Sequence, residues 1–63
     1  MAALKIDNKP VRIVKAGWVE EGNYRTYRIY VAPRDSIGGA HSQHDIPSCT
    51  GKFFTNGHSY EWF

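Results

Sequence analysis

The chain has 63 residues, nine of them aromatic, and a formal net charge of +2 from eight Lys and Arg against six Asp and Glu. A chain this short buries only about 60% of its unfolded surface, so it reads as one small domain over residues 1–63 with no room for a large active-site cleft. A single cysteine, Cys49, excludes an internal disulfide and favours a reducing, cytoplasmic setting, and no apolar run approaches the roughly 20 residues of a membrane-spanning helix.

Met1 to Ala3 are expected to fray, and Lys5 interrupts a start too short for a signal peptide. Leu4 to Ile6 can form a short strand. Asp7-Asn8-Lys9-Pro10 then supplies turn residues, and Pro10 belongs at a strand start or edge because it has no N–H to donate.

Val11 to Pro33 reads as one long β-hairpin with Gly22-Asn23 at its tip, since Gly-Asn between β-rich runs suits a two-residue turn. That turn fixes a register: Glu21 faces Tyr24, Glu20 faces Arg25, Trp18 faces Tyr27, Ala16 faces Ile29 and Val14 faces Val31. Period-two alternation then gives a core face of Val14, Ala16, Trp18, Tyr27, Ile29 and Val31. The opposite face carries Lys15, Gly17, Val19, Glu21, Tyr24, Thr26, Arg28 and Tyr30, with Val11, Ile13 and Ala32 at its far end. Gly17, inside a strand, predicts a bulge, a bend or a close backbone approach.

From Arg34 to Thr50 no helical or strand period is visible. Gly38-Gly39, Pro47 and the polar run His41-Ser42-Gln43-His44-Asp45 disfavour regular structure, and only Ile37, Ala40, Ile46 and Cys49 offer anchors. Asp35-Ser36 can cap at most a single helical turn. Gly51 to Phe63 reads as a second hairpin around Asn56-Gly57, with Phe53, Tyr60 and Trp62 on one face as a lid for the first hairpin. Phe63 lies on the other face, beside Thr50 and Phe54.

These elements predict an all-β fold: a small antiparallel sheet or partly open barrel of about four or five strands, built from two hairpins with one long loop over residues 34–50. By analogy of architecture, an SH3-like or OB-like barrel is the nearest common shape.

Charge is uneven along the chain. Residues 1–34 hold seven of the eight bases and three of the six acids, so the hairpin half attracts anionic surfaces. Lys15, Tyr24, Arg28, Tyr30 and Arg34 are the candidate partner-binding residues, with Arg12 also at the hairpin's open end. Tyr and Arg together mark protein-binding hot spots, and rings interleaved with cations also suit single-stranded nucleic acid. His41, His44, Cys49 and His58 supply donor types that zinc accepts, although their spacing matches no standard finger and Cys49 packs equally well as a small hydrophobe. The same residues offer nucleophile and base types, but nothing in the sequence brings them within reach of each other. No phosphate-binding glycine loop, catalytic carboxylate pair or hydrolase signature is present.

The expected function is therefore a non-catalytic module that occupies a surface of a larger protein partner, as an accessory subunit, inhibitor or regulator. The alternatives are a nucleic-acid-binding module using the Tyr/Arg sheet face and a zinc-stapled interaction module. A sheet edge also offers a route to a homodimer.

Overall fold

The structure, a computed structural model, describes residues 3–35 and 41–63. Among them, six strands follow one another: β1 (Leu4–Ile6), β2 (Lys9–Glu21), β3 (Tyr24–Pro33), β4 (Ser42–Ile46), β5 (Lys52–Thr55) and β6 (His58–Trp62). All neighbours pair antiparallel in a single sheet of order β4-β3-β2-β1-β6-β5. The sheet curls into a half-barrel.

Three two-residue turns set the registers. Asp7-Asn8 (φ 53 and 68) joins β1 to β2, and Asn56-Gly57 (φ 56 and 81) joins β5 to β6. Positive φ at both central positions is the type I′ arrangement, whose twist matches that of the strands it joins. Gly22 (φ 63) carries the positive φ at the first position of the β2–β3 turn, where its missing Cβ removes the steric cost.

The long hairpin keeps the expected register from Glu21↔Tyr24 to Lys15↔Tyr30. It then slips. Ile13 faces Val31, Arg12 faces Ala32 and Val11 faces Pro33, which leaves Val14 as the extra residue of a bulge. The expected Val14–Val31 pair does not form, and Val14 is 40% exposed. In exchange, Val11 and Ile13, expected on the outer face, turn inward and pack against the core. Two aliphatics go in for one that comes out, a gain in buried apolar area that offsets the broken ladder. The ladder runs through Gly17 without a break, and a Cβ there would meet nothing within 4 Å, so neither a bulge nor a close approach explains it.

The core is Leu4, Ile6, Ile29, Val31, Ile46 and Tyr60, with Val11, Ile13, Tyr27, Phe53 and Trp62 packed against it. The aromatic face of the second hairpin does cover the first, but it arrives through β1, which lies between β2 and β6. Ala3, expected to fray, is tied to Phe63 by two backbone hydrogen bonds of 3.1 and 2.8 Å. Phe63 itself is 51% exposed.

Ala16 and Trp18 face inward yet are exposed, contrary to expectation. β1 reaches β2 only at Lys9–Val11, so among the described residues the distal part of β2 pairs with β3 alone. The hairpin projects, and the molecule measures 37 × 24 × 22 Å.

The sixth strand is the largest departure from expectation. The polar run His41 to Asp45 reads as loop, yet Ser42–Ile46 forms β4 along one edge of β3. Ile46 is fully buried and His44 half-buried, whereas Ser42 and Gln43 are exposed. An edge strand takes its stability from backbone bonds and needs few apolar side chains. The expected loop over residues 34–50 is thereby interrupted by a strand at Ser42–Ile46. Of the expected helical turn, Asp35 is the last described residue before a gap, and Ser36 and the anchors Ile37 and Ala40 lie outside the described residues.

Candidate interaction surface

The outward side of the long hairpin gathers Lys15, Arg28 and Tyr30, three of the five candidate residues. Cross-strand pairing places Lys15 beside Tyr30 and Gly17 beside Arg28. With Val19 they line a shallow hollow of about 300 Å³. Gly17 forms a notch in its floor because no side chain fills the space above it.

The other two candidates lie elsewhere. Tyr24, 69% exposed, sits at the hairpin tip beside a separate hollow of about 210 Å³ that includes Glu20 and Arg25. Arg34 borders a third hollow, of about 370 Å³, with Lys9, Pro10 and Pro33.

β4 supplies a further residue, from the stretch that the sequence alone reads as loop. Asp45 faces Arg28 across the ladder. Arg28 donates from Nε to Asp45 Oδ1 at 2.9 Å and from Nη2 to Oδ2 at 3.0 Å. Gln43 Nε2 donates to the same Oδ1 at 3.3 Å. The guanidinium hydrogen bond holds the Asp45 carboxyl below its ordinary pKa, and the carboxylate raises that of Arg28. This planar two-point grip fixes the guanidinium in the sheet surface. No sequence signal reveals the pair unless β4 is first recognised as a strand.

The inward side carries a second cluster, built on the expected Trp18–Tyr27 pair and the expected approach of Trp62. Trp18 and Tyr27 meet edge to face at 4.9 Å, and Tyr27 meets Trp62 at 6.2 Å. Arg25 lies over the Trp18 ring at 4.4 Å, a cation–π contact. Trp62 Nε1 donates to the carbonyl of Ser48 at 3.1 Å.

At the seam between β4 and β6, a hydrogen bond of 2.7 Å joins His44 Nδ1 to the Tyr60 hydroxyl. His58 Nδ1 donates to Asp7 Oδ2, also at 2.7 Å. The two imidazoles stand edge to face, 5.8 Å apart. Asp7 Oδ1 also accepts from the Ser59 N–H at 3.0 Å, and that bond, with the one from His58, holds its pKa down. Burial depresses the pKa of His44, and the neighbouring His58 adds to the effect. Burial raises that of Tyr60. In each case burial disfavours the charged form.

Of the residues expected as a zinc set, His44 and His58 come into ring contact, while Cys49 is exposed. Among the described residues, no three His, Cys, Asp or Glu side chains gather closely enough to share a metal ion, so His41, His44, Cys49 and His58 are not assembled as one site. Also among the described residues, no helix is long and apolar enough to cross a membrane.

These features define a small all-β domain: a curled antiparallel sheet with one projecting hairpin. Against known proteins, the chain matches no family model, no curated protein and no solved structure.

Proposed function

We propose that the chain is a non-catalytic binding module that occupies a surface of a larger protein, as an accessory subunit, inhibitor or regulator in the cytoplasm. The observation that carries this reading is the preset outer face of the projecting hairpin. Arg28 is held by Asp45 beside Tyr30 and Lys15, around a notch with no side chain in it. A guanidinium already fixed loses little freedom on binding, and a tyrosine beside it supplies a ring with few rotatable bonds, which is how a few residues come to dominate a protein interface. We read the half-barrel as an open relative in shape of the SH3-like and OB-like barrels, which commonly present a sheet face to partners.

The same face carries the nucleic-acid alternative, but the Arg28–Asp45 pair favours a protein. A phosphate would meet a guanidinium whose charge a carboxylate already balances, with two of its five N–H groups taken. The test is a pull-down from the native host with mass spectrometry, run with and without nuclease. A protein partner should survive nuclease and lose roughly 1–2 kcal/mol or more on Tyr30→Ala, with little dependence on salt. Loss of the catch to nuclease, with affinity falling steeply as salt rises, would transfer the function to nucleic acid.

A further inference from the structure

Besides its outer face, β2 presents a bare edge. β1 covers only Lys9–Val11, so from Lys15 to Glu21 one side of β2 has, among the described residues, no strand beside it. In a two-residue hairpin the residues flanking the turn bond to each other, and the backbone groups then alternate between the partner strand and the open side. Glu21, Val19, Gly17 and Lys15 therefore bond toward β3. The N–H and C=O groups of Glu20, Trp18 and Ala16 point into the open, and all three residues are exposed. The bulge at Val14 ends the regular edge.

A strand added there would place its side chains by the same alternation. The residue opposite Gly17 would lie on the outer face, directly over the notch, against Val19 and Tyr30. The residue opposite Lys15 would meet an ammonium that makes no ion pair among the described residues. The residue opposite Glu21 would meet a carboxylate, and the one opposite Trp18 a ring that is 43% exposed.

We infer that this edge takes an extended segment of the partner protein, added antiparallel to β2, with a large apolar side chain seated over Gly17, an acidic one beside Lys15 and a basic one beside Glu21. The inference rests on the protein-binding reading above and specifies its mode. Main-chain bonds supply the attraction, and the notch and the charges at each end select the sequence.

The probe is a capped peptide, Lys-Thr-Val-Ile-Phe-Thr-Glu, whose residues run opposite Glu21 through Lys15 in that order. A scrambled peptide of the same composition is the control. Binding should protect the amides of Ala16, Trp18 and Glu20 from hydrogen exchange and leave those of Gly17 and Val19 as they were. The scrambled peptide should bind at least about ten-fold more weakly. Gly17→Val should melt no lower than wild type, because its methyls enter open space on a strand, yet bind the probe at least about ten-fold more weakly by filling the notch. Ala16→Pro removes an outward N–H without touching the ladder and should also abolish binding.

No binding at millimolar peptide, or equal binding to Gly17→Val, overturns the inference. So does protection of the same three amides on concentrating the protein alone, which would make the occupant a second copy. A partner recovered from the host that loses affinity on Tyr30→Ala but not on Ala16→Pro would also reject the strand-addition mode, while leaving the proposed function standing.

Discussion

Tyr60→Phe is the sharpest test of the seam that holds the curled sheet together. The ring is fully buried, so its hydroxyl has no route to water, and its partner is His44 Nδ1 at 2.7 Å. Phenylalanine keeps the ring stacked on Phe53 at 5.4 Å, so packing is conserved and only the hydrogen bond is lost. A bond of this kind, with its former partner left half-buried and unpaired, is worth about 1–2 kcal/mol. For a domain of this size that corresponds to a fall in Tm of roughly 4–16 °C. Thermal unfolding followed by far-UV circular dichroism measures it. The control is the same change in a His44→Ala background. There the wild-type hydroxyl is itself the stranded group, so its removal should be neutral or stabilising. Equal losses in both backgrounds, or no loss in either, would refute the claim that this bond closes β4 onto β6.

Acid should weaken the fold in two stages. His44 has a depressed folded pKa, so below its ordinary value near 6.5 the unfolded chain binds a proton that the folded chain resists, and stability falls as pH drops through that window. Asp7 and Asp45 are also depressed, so a second loss of the same sign follows below about 3.8. Urea midpoints from pH 3 to 8 should show both stages, and His44→Gln should erase only the upper one. Ile29→Ala empties a fully buried site at a cost of about 2–5 kcal/mol, enough against the slender stability of so small a domain to leave much of it unfolded at 25 °C by circular dichroism. Deleting Val14 should restore a regular ladder with Ile13 and Ala16 still inward, and it should cost less in urea midpoint than Ile13→Ala; the reverse order would show that the bulge itself is required.

Local chemistry explains which parts of the molecule could be read in advance. Gly22-Asn23 and Asn56-Gly57 announce their turns through residues that tolerate positive φ, and the pairing from Glu21↔Tyr24 to Lys15↔Tyr30 follows by counting. Counting fails at Val14 because a bulge is settled by competition for the core between Val14 and the pair Val11 and Ile13, which depends on what lies across from them. β4 was hidden for a related reason. Gln43 and Ser42 carry no strand signal, and the edge of β3 that recruits them is a property of the assembled sheet. The candidate surface inherits the same limit. Lys15, Arg28 and Tyr30 are neighbours by register, whereas Asp45 and the His44–Tyr60 bond come into view only once β4 is in place.

The position of β1 constrains how the molecule assembles. It is the shortest strand, it comes first in the chain, and it needs the last strand on its far side: Leu4 pairs with Trp62 and Ile6 with Tyr60. Contacts this distant along a polypeptide are slow to form, since the stretch from Ile6 to Tyr60 must close into a loop before they give any return. While the protein is being made, Leu4 and Ile6 must wait with a raw flank until Tyr60 and Trp62 have left the ribosome, and through that interval the nascent chain is open to pairing with a neighbour.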